Sequence, residues 1–303
     1  MSRSLESTAF TPISVRPAQP RAHTRVLSTT WRVARRKPVG AISAVILIVV
    51  ILASLFAPWL APYDPAANLP GARLQAPSFE HWMGTDAQSR DMFSRILYGG
   101  RLSLLVGVLS VAFGTAAGAV VGLVSGYFGG WVDLALQRLV DIMLALPLLI
   151  LVIAMVAVLG SSTRNVVIAL AIGQAPRTAL VVRGVVLTIR SQLFVESAKA
   201  TGASDRRIIF RHILPNVSAP LIVLATAGLG GAIIAETSLS FLGLGASVTT
   251  PSWGEMLSNQ ARRFMTVAPW LAVFPGLAIT LVVLSFNLLG DAVRDLLDPR
   301  LKT

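Results

Sequence analysis

Long apolar runs are the sequence feature that most restricts how this chain can fold. Several of them reach the roughly 20 residues that an α-helix needs to cross a bilayer. None alternates apolar with polar residues as the strands of a membrane barrel do. Charged residues make up only 13% of the sequence, against about a quarter in ordinary soluble domains. The sequence therefore predicts an all-α integral membrane protein with several spans in the cell membrane.

Six runs are candidates for membrane-spanning helices. We expect these spans at about residues 39–60, 102–124, 134–159, 166–189, 217–242 and 267–289. Pro147 should kink the third span and Pro176 should interrupt the fourth, because proline cannot donate a backbone hydrogen bond within a helix.

The spans divide the chain into parts of different character. Residues 1–38 form a basic N-terminal tail that is rich in Ser, Thr and Pro, and we predict that it is disordered. The other parts are a first transmembrane helix (39–60), an extracytoplasmic segment (61–100), a five-helix transmembrane core (101–290) with a cytoplasmic loop at 190–216, and a cytoplasmic C-terminal tail (291–303).

Basic residues indicate which side of the membrane each loop occupies. Sixteen Lys and Arg residues lie in the two tails and in segment 190–211, whereas six lie in the loops that would be on the opposite side. Cytoplasmic loops of membrane proteins carry the excess of Lys and Arg. We therefore expect both termini and the 190–216 loop in the cytoplasm. The same rule accounts for the net charge of +12 without nucleic-acid binding.

No group of residues in the sequence predicts catalysis, a cofactor site or a metal site. Cysteine is absent, the three histidines lie far apart, and the Gly-rich stretches lack the Lys-Ser or Lys-Thr that ends a phosphate-binding loop. We predict that this chain is not an enzyme and binds no ATP itself. Ionisable residues within spans remain candidates for function. Arg177 and Glu236 could lie on a solute pathway or at an interface, and Glu236 could instead be a buried hydrogen-bonding residue or a proton carrier.

The 190–216 loop is a polar, basic segment between two long apolar runs. We expect two short helices hinged at Gly202, which can adopt a left-handed conformation. Ser204 or Asp205 would cap the second helix, and Pro215 would open the next span. Apolar residues of the loop must be buried in its own bundle or in a partner; they are Phe194, Val195, Ile208, Ile209, Phe210, Ile213 and Leu214.

The order of residues in this loop resembles the EAA loop of ABC-importer permeases. That pattern is Glu-Ala-Ala, three residues, Gly, and later Ile-x-Leu-Pro. Here the matching residues are Glu196-Ser197-Ala198, Gly202 and Ile213-Leu214-Pro215. Further motifs resemble the "C" permeases of the peptide/nickel branch: PYDP at 62–65, GTD at 84–86, SFLGLG at 240–245, PSWG at 251–254 and LDPR at 297–300. The resemblance covers residues 39–302.

The resemblance implies the fold of an ABC type I importer permease and a role in a heteromeric importer of short peptides. A second homologous permease would complete a heterodimer, two ATP-binding subunits would bind ATP and Mg, and an extracytoplasmic solute-binding protein would deliver the peptide. No cofactor is implied for this chain itself.

In such an importer the 190–216 loop would dock on an ATPase subunit. Glu196 would be a charged contact or a brace within the loop, Gly202 would hold a turn where a side chain would clash, and Pro215 would set the exit angle into the fifth span. The residues assigned to coupling by the resemblance are Glu196, Ser197, Ala198, Gly202, Asp205, Arg206, Arg207, Ile213, Leu214 and Pro215.

Two alternatives stay open. The same architecture could import nickel, glutathione-like peptides or sugar conjugates, because solute selection largely rests with the binding protein. A stand-alone secondary transporter would need midplane ionisable residues or inverted repeats for ion coupling, and neither is clear in the sequence.

Overall fold

The computed structural model describes residues 38–245 and 250–297, and helices are the regular elements of both ranges. In chain order they are α1 (Pro38–Leu55), α2 (Ala57–Leu60), α3 (Met92–Phe128), α4 (Gly130–Leu144), α5 (Leu148–Leu159), α6 (Thr163–Arg190), α7 (Leu193–Ala200), α8 (Asp205–Ile208), a π-helical turn (Ile209–Ile213), α9 (Leu214–Phe241), α10 (Trp253–Met256), α11 (Asn259–Phe264) and α12 (Trp270–Leu297). The all-α prediction is confirmed for these residues.

Five helical segments of the described ranges are long and apolar enough to cross a membrane, and the count is six if the bent α4–α5 pair forms one span. The first predicted span ends early, because α1 stops at Leu55 and a separate short helix follows. Pro58, near the start of α2, lacks the N–H that would continue the hydrogen-bond ladder. The last helix runs beyond the predicted end at 289 to Leu297.

The second predicted span is part of a much longer helix. Helix α3 has 37 residues and begins ten residues before the expected start at 102. The Asp91 carboxylate caps it by accepting a hydrogen bond from the Ser94 N–H at 2.8 Å. Gly129, with φ +66°, ends it.

Proline acts differently in the third and fourth predicted spans. At Pro147 the chain bends by 93° between α4 and α5, so the predicted kink is confirmed. At Pro176 the predicted interruption is wrong, because α6 is one continuous helix from Thr163 to Arg190. The neighbouring helix packs closely along α6: a Cβ on Gly118 of α3 would overlap the Ala175 carbonyl oxygen. Packing of this kind holds a proline-containing helix together.

Three buried apolar clusters connect the helices. One joins α1, α3, α9 and α12 with the α10–α11 segment, and a second joins α3, α5, α6 and α9. The third lies where α3, α6 and α9 meet the 190–216 loop. The predicted disordered tail at 1–38 lies outside the described residues except for Pro38, and so do residues 246–249 and 298–303.

Candidate functional site

The first half of the 190–216 loop is a helix that ends at Gly202, as predicted. Helix α7 is followed by Thr201 and by Gly202 with φ +80°. The Gly202 N–H donates to the Lys199 carbonyl at 2.9 Å, and the Ala203 N–H donates to the Ala198 carbonyl at 3.0 Å. This pair of hydrogen bonds is a Schellman motif, which requires a left-handed residue at the glycine position.

The predicted reason for Gly202 needs correction. A Cβ at this position would meet no atom of the described residues within 4 Å, so no clash within this chain requires glycine here. Glycine is favoured because of its positive φ, which L-residues adopt at a cost.

The second half of the loop is not a separate short helix. Ser204 caps α8 through its hydroxyl, which accepts from the Arg207 N–H at 3.4 Å. The chain then passes through the π-helical turn into α9, and 205–241 form one unbroken helical segment. Pro215 lies in the first turn of α9 without breaking the path. Pro215 therefore opens α9, as predicted for the start of the fifth span.

A widened turn makes this continuity possible. The Leu214 N–H donates to the Ile209 carbonyl, five residues back. Pro215 has no N–H to donate, and the side-chain amide of Asn216 donates to the His212 carbonyl at 2.6 Å. The second half of the loop and the fifth span therefore form one continuous helical segment, Asp205–Phe241.

The loop buries part of its apolar surface in its own bundle. Val195, Ile208 and Ile213 are fully buried against α3 and α6, with Ala198 and Leu214 packed at the edge. Other apolar side chains remain exposed, and these are Leu193 (81%), Phe194 (42%) and Phe210 (68%). The sequence left open whether bundle or partner covers the apolar residues, and the structure divides them between a buried face and an exposed face.

A tyrosine of α3 fastens the loop to the bundle. The Tyr127 hydroxyl donates to the Asp205 carboxylate at 2.5 Å. The Lys199 ammonium lies 5.4 Å from the centre of the Tyr127 ring, which is within cation–π range. Tyr127 itself is 4% exposed. One side chain therefore binds both helices of the loop, α7 and α8.

The charged residues of the loop face outward. Glu196, Arg206 and Arg207 are exposed. Among the described residues, the Glu196 carboxylate makes no hydrogen bond or ion pair, so a brace within the loop is not observed. Ser197 is exposed, and its hydroxyl donates to the Leu193 carbonyl within α7 at 2.8 Å. The Ser in place of Ala therefore disturbs no packing.

The two intramembrane candidates lie in different surroundings. Arg177 is exposed on α6 and lines a cavity of about 520 Å³. Glu236 is fully buried, and its Oε1 accepts from the Ser240 hydroxyl at 2.8 Å, while its Oε2 has no hydrogen-bond partner in the described structure. The structure does not bring the two together at one site.

Sequence reasoning missed an ion pair at the end of the bundle that carries the loop. Arg183 of α6 donates to both carboxylate oxygens of Asp133 of α4, each at 2.6 Å. The Ser125 hydroxyl also donates to Asp133. Arg138 and Asp141, three residues apart on α4, form no ion pair among the described residues. A pairing across fifty residues leaves no periodic signal in a single sequence.

A second network was missed at the opposite end. Arg95 of α3 donates to Glu255 of α10 at 2.7 Å, and Arg90 donates to Asp86 at 2.7 Å. A buried histidine, His81, contacts Asp91 at 3.1 Å. The first of these contacts joins α3 to α10, and the other two lie within the segment that leads into α3. The motifs at 84–86 and 251–254 marked the region but did not show which residues pair.

Comparison with known proteins identifies the family. The model of the binding-protein-dependent transport system inner membrane component matches residues 118–303. The chain belongs to this family. The model of the N-terminal transmembrane domain of oligopeptide transport permease C also matches, over residues 26–77 of this permease. It is therefore a multi-pass inner-membrane permease of a binding-protein-dependent transport system, and membership implies ATPase and binding-protein partners.

Individual relatives agree with this assignment. The permease is 47% identical to the dipeptide transport system permease protein DppC of Alkalihalophilus pseudofirmus, with 90% of this chain and 91% of the relative covered. It is 48% identical to the glutathione transport system permease protein GsiD of Escherichia coli, with 90% of each chain covered. Among solved structures, an inward-facing MetNI methionine ABC transporter chain matches with a TM-score of 0.55 and 20% identity, covering 68% of this chain and 98% of that chain. The last likeness supports the fold alone.

Proposed function

We propose that this permease forms half of the transmembrane pathway of an ATP-driven importer of short peptides. The relatives named for dipeptide and glutathione transport share nearly half of its residues over most of their length, and both names denote peptides. A second, homologous permease completes the heterodimer, two ATP-binding subunits supply the energy from ATP and Mg, and an extracytoplasmic binding protein delivers the peptide. This chain performs no catalysis.

The observation that carries the coupling role is the two-sided 190–216 loop. One face is buried in the bundle, and the other exposes Leu193, Phe194 and Phe210 beside the charged Glu196, Arg206 and Arg207. An apolar patch with a charged rim is typical of a protein–protein contact. Because α8 is continuous with α9, movement of an ATPase subunit against the loop would be transmitted into the membrane.

We propose six spans with both termini in the cytoplasm. The bent pair α4–α5 counts as the third span in this topology, and the excess of Lys and Arg lies on the tails and the 190–216 loop. The proposed parts are the N-terminal tail, the first span α1, the extracytoplasmic segment between α2 and α3, the core from α3 to α12 and the C-terminal tail. A reporter fused near Arg206 should be cytoplasmic and one near Ser258 extracytoplasmic, and the reverse result would refute this orientation.

Uptake by the reconstituted importer tests the proposed function directly. The permease is assembled in proteoliposomes with its partner permease, ATPase subunits and binding protein, and radiolabelled dipeptide is added on the binding-protein side. We expect uptake that requires ATP and the binding protein. Uptake of nickel without dipeptide uptake would favour the alternative cargo. Ion-driven uptake by this chain alone, without ATP, would overturn the ABC mechanism.

Substitutions at two glycines distinguish a loss of coupling from a loss caused by backbone strain. Gly202→Asp should leave complex assembly intact but lower the peptide imported per ATP hydrolysed, because the new carboxylate fills the open space where an ATPase subunit approaches. Gly160→Asp is the matched control, since Gly160 also has a positive φ (+86°) and a Cβ added there would meet no atom within 4 Å. Equal loss in both variants would show that backbone strain, not the ATPase contact, is responsible.

A further inference from the structure

A cavity with four polar side chains in a mainly apolar wall lies beside the bend of the third span. Its volume is about 520 Å³, within the range of roughly 300–1,000 Å³ that is usual for small-molecule sites. Residues of α3, the α4–α5 bend, α6 and α9 line it, and its polar side chains are Thr115, Gln174, Arg177 and Thr178. The other lining residues are apolar or glycine.

Arg177 is the cation of this cavity. Among its described lining residues no Asp or Glu is found, and the Arg177 guanidinium makes no ion pair or hydrogen bond within 38–245 and 250–297. Arg177 is fourteen residues from the start of α6 and thirteen from its end, so it lies about 20 Å along the helix from either terminus. An arginine at mid-span is too costly to face lipid and belongs in a water-filled or protein-lined space.

Two further features of this cavity favour binding of an anion. Gln174 lies one helical turn before Arg177, and its Oε1 would be 3.5 Å from a Cβ at Gly228 of α9, so the amide reaches across the cavity. Its side chain makes no hydrogen bond to the described residues. Pro147 and Leu148, at the start of α5, also line the wall. The first amides of a helix have no acceptor in their own helix, and they add positive potential to what Arg177 supplies.

We propose that Arg177 and Gln174 form a carboxylate-binding subsite on the transport pathway, which holds the C-terminal carboxylate of a peptide in transit. This inference rests on the proposed import of peptides. A planar guanidinium donates two parallel hydrogen bonds to a carboxylate, and the Gln174 amide donates another. The terminal carboxylate is common to peptides of every sequence, so a subsite for it accepts many peptides without reading their side chains.

The first test measures the electrostatic potential in the cavity and does not require transport. The chain has no cysteine, so Thr115→Cys places a single thiol in the cavity wall of the complex, assembled with cysteine-free partners. Its rate of modification is measured with an anionic sulfonatoethyl and a cationic trimethylammonium methanethiosulfonate. Arg177→Gln should shift the anionic-to-cationic rate ratio toward the cation by at least about fivefold, the effect of a unit charge a few ångström away in a partly solvated site.

Protection of the same thiol identifies the ligand chemistry. Dialanine should slow the modification of Thr115→Cys, and dialanine amide, which lacks the carboxylate, should not. Arg177→Gln should abolish the protection. A thiol that does not react, a rate ratio unchanged by Arg177→Gln, or equal protection by acid and amide would each overturn the subsite.

The second test measures discrimination during transport. With the binding protein loaded to equal occupancy by a peptide acid or its amide, Arg177→Gln should lower uptake of the acid by about tenfold, the loss of roughly one charge-assisted hydrogen bond, and leave uptake of the amide unchanged. Arg164→Gln, in the first turn of α6 and outside this cavity, is the matched control and should change neither. Equal loss for acid and amide, or failure of the Arg177→Gln complex to assemble, would show a structural or interface role instead. If the wild type imports no peptide, the proposed function fails, while the modification rates and protection still decide the subsite.

Discussion

Removal of one hydroxyl from Tyr127 should loosen the 190–216 loop without unfolding the bundle. Tyr127→Phe deletes the hydrogen bond to Asp205, 2.5 Å long, and keeps the ring that packs in the buried cluster and faces Lys199. Helices α3 and α8 then stay in contact through apolar packing alone.

The expected size of the effect follows from the two groups that form the hydrogen bond, the Tyr127 hydroxyl and the Asp205 carboxylate. A hydrogen bond to a charged group contributes about 1.5–3 kcal/mol. Asp205 is exposed, so water can hydrate its carboxylate once the hydroxyl is gone, and the lower end of that range applies. A change of about 1.4 kcal/mol corresponds to a tenfold change in an equilibrium. We therefore expect local detachment of the loop from α3 to become about tenfold more frequent.

Two measurements on the reconstituted importer can detect this change. Amide hydrogen exchange of segment 193–208 should become about tenfold faster, because exchange there reports local opening. The number of peptides imported per ATP should fall, since part of each ATPase movement is then absorbed by a loosened loop.

Tyr98→Phe is the matched control for this substitution. Tyr98 is also on α3, and its hydroxyl makes no hydrogen bond among the described residues. In Tyr98→Phe, the amide exchange of segment 193–208 and the number of peptides imported per ATP should equal those of the wild type. Adding Asp205→Ala to Tyr127→Phe should have little further effect, because both changes remove the same contact. Unchanged exchange in Tyr127→Phe, or full additivity with Asp205→Ala, would refute the role of this hydrogen bond.

Three further predictions concern other parts of the permease. Phe210→Ser should weaken retention of the ATPase subunits on purification, whereas Phe79→Ser, at an exposed phenylalanine between α2 and α3, should not. Equal retention in both variants would contradict the docking face. Glu236→Gln keeps the shape and the Ser240 contact without a charge, so uptake should persist, and its loss would instead support a proton-carrying role. Arg183→Gln removes the bidentate partner of Asp133. Because both side chains are partly exposed, the free energy of unfolding should fall by about 1–3 kcal/mol, which a lower unfolding temperature would report. The reversed pair, Asp133→Arg with Arg183→Asp, should recover part of this loss.

Some features of the 190–216 loop could be predicted because they depend on neighbouring residues in the sequence. The left-handed turn at Gly202 and the Ser204 cap depend on residues within one helical turn, and both were expected from the sequence. Pro147 could be predicted to bend its span, but the same rule failed at Pro176. Whether a proline breaks a helix depends on its neighbours, and the close contact of α3 along α6 is not visible in the sequence of α6.

The amino-acid sequence by itself determined the membrane-embedded helical class, the family and the position of the 190–216 loop. The length of the apolar runs, the distribution of basic residues and the order of motifs are properties of the chain alone. The free energy of transfer from water to lipid is a sum over the residues of each run, so the membrane class follows from the sequence. Only the tertiary structure decided which face of the loop is buried, that Tyr127 binds Asp205, and that Arg177 and Gln174 line a cavity together with residues of α3 and α9. These features depend on contacts between segments that are distant along the chain, because packing selects partners by shape and charge in space.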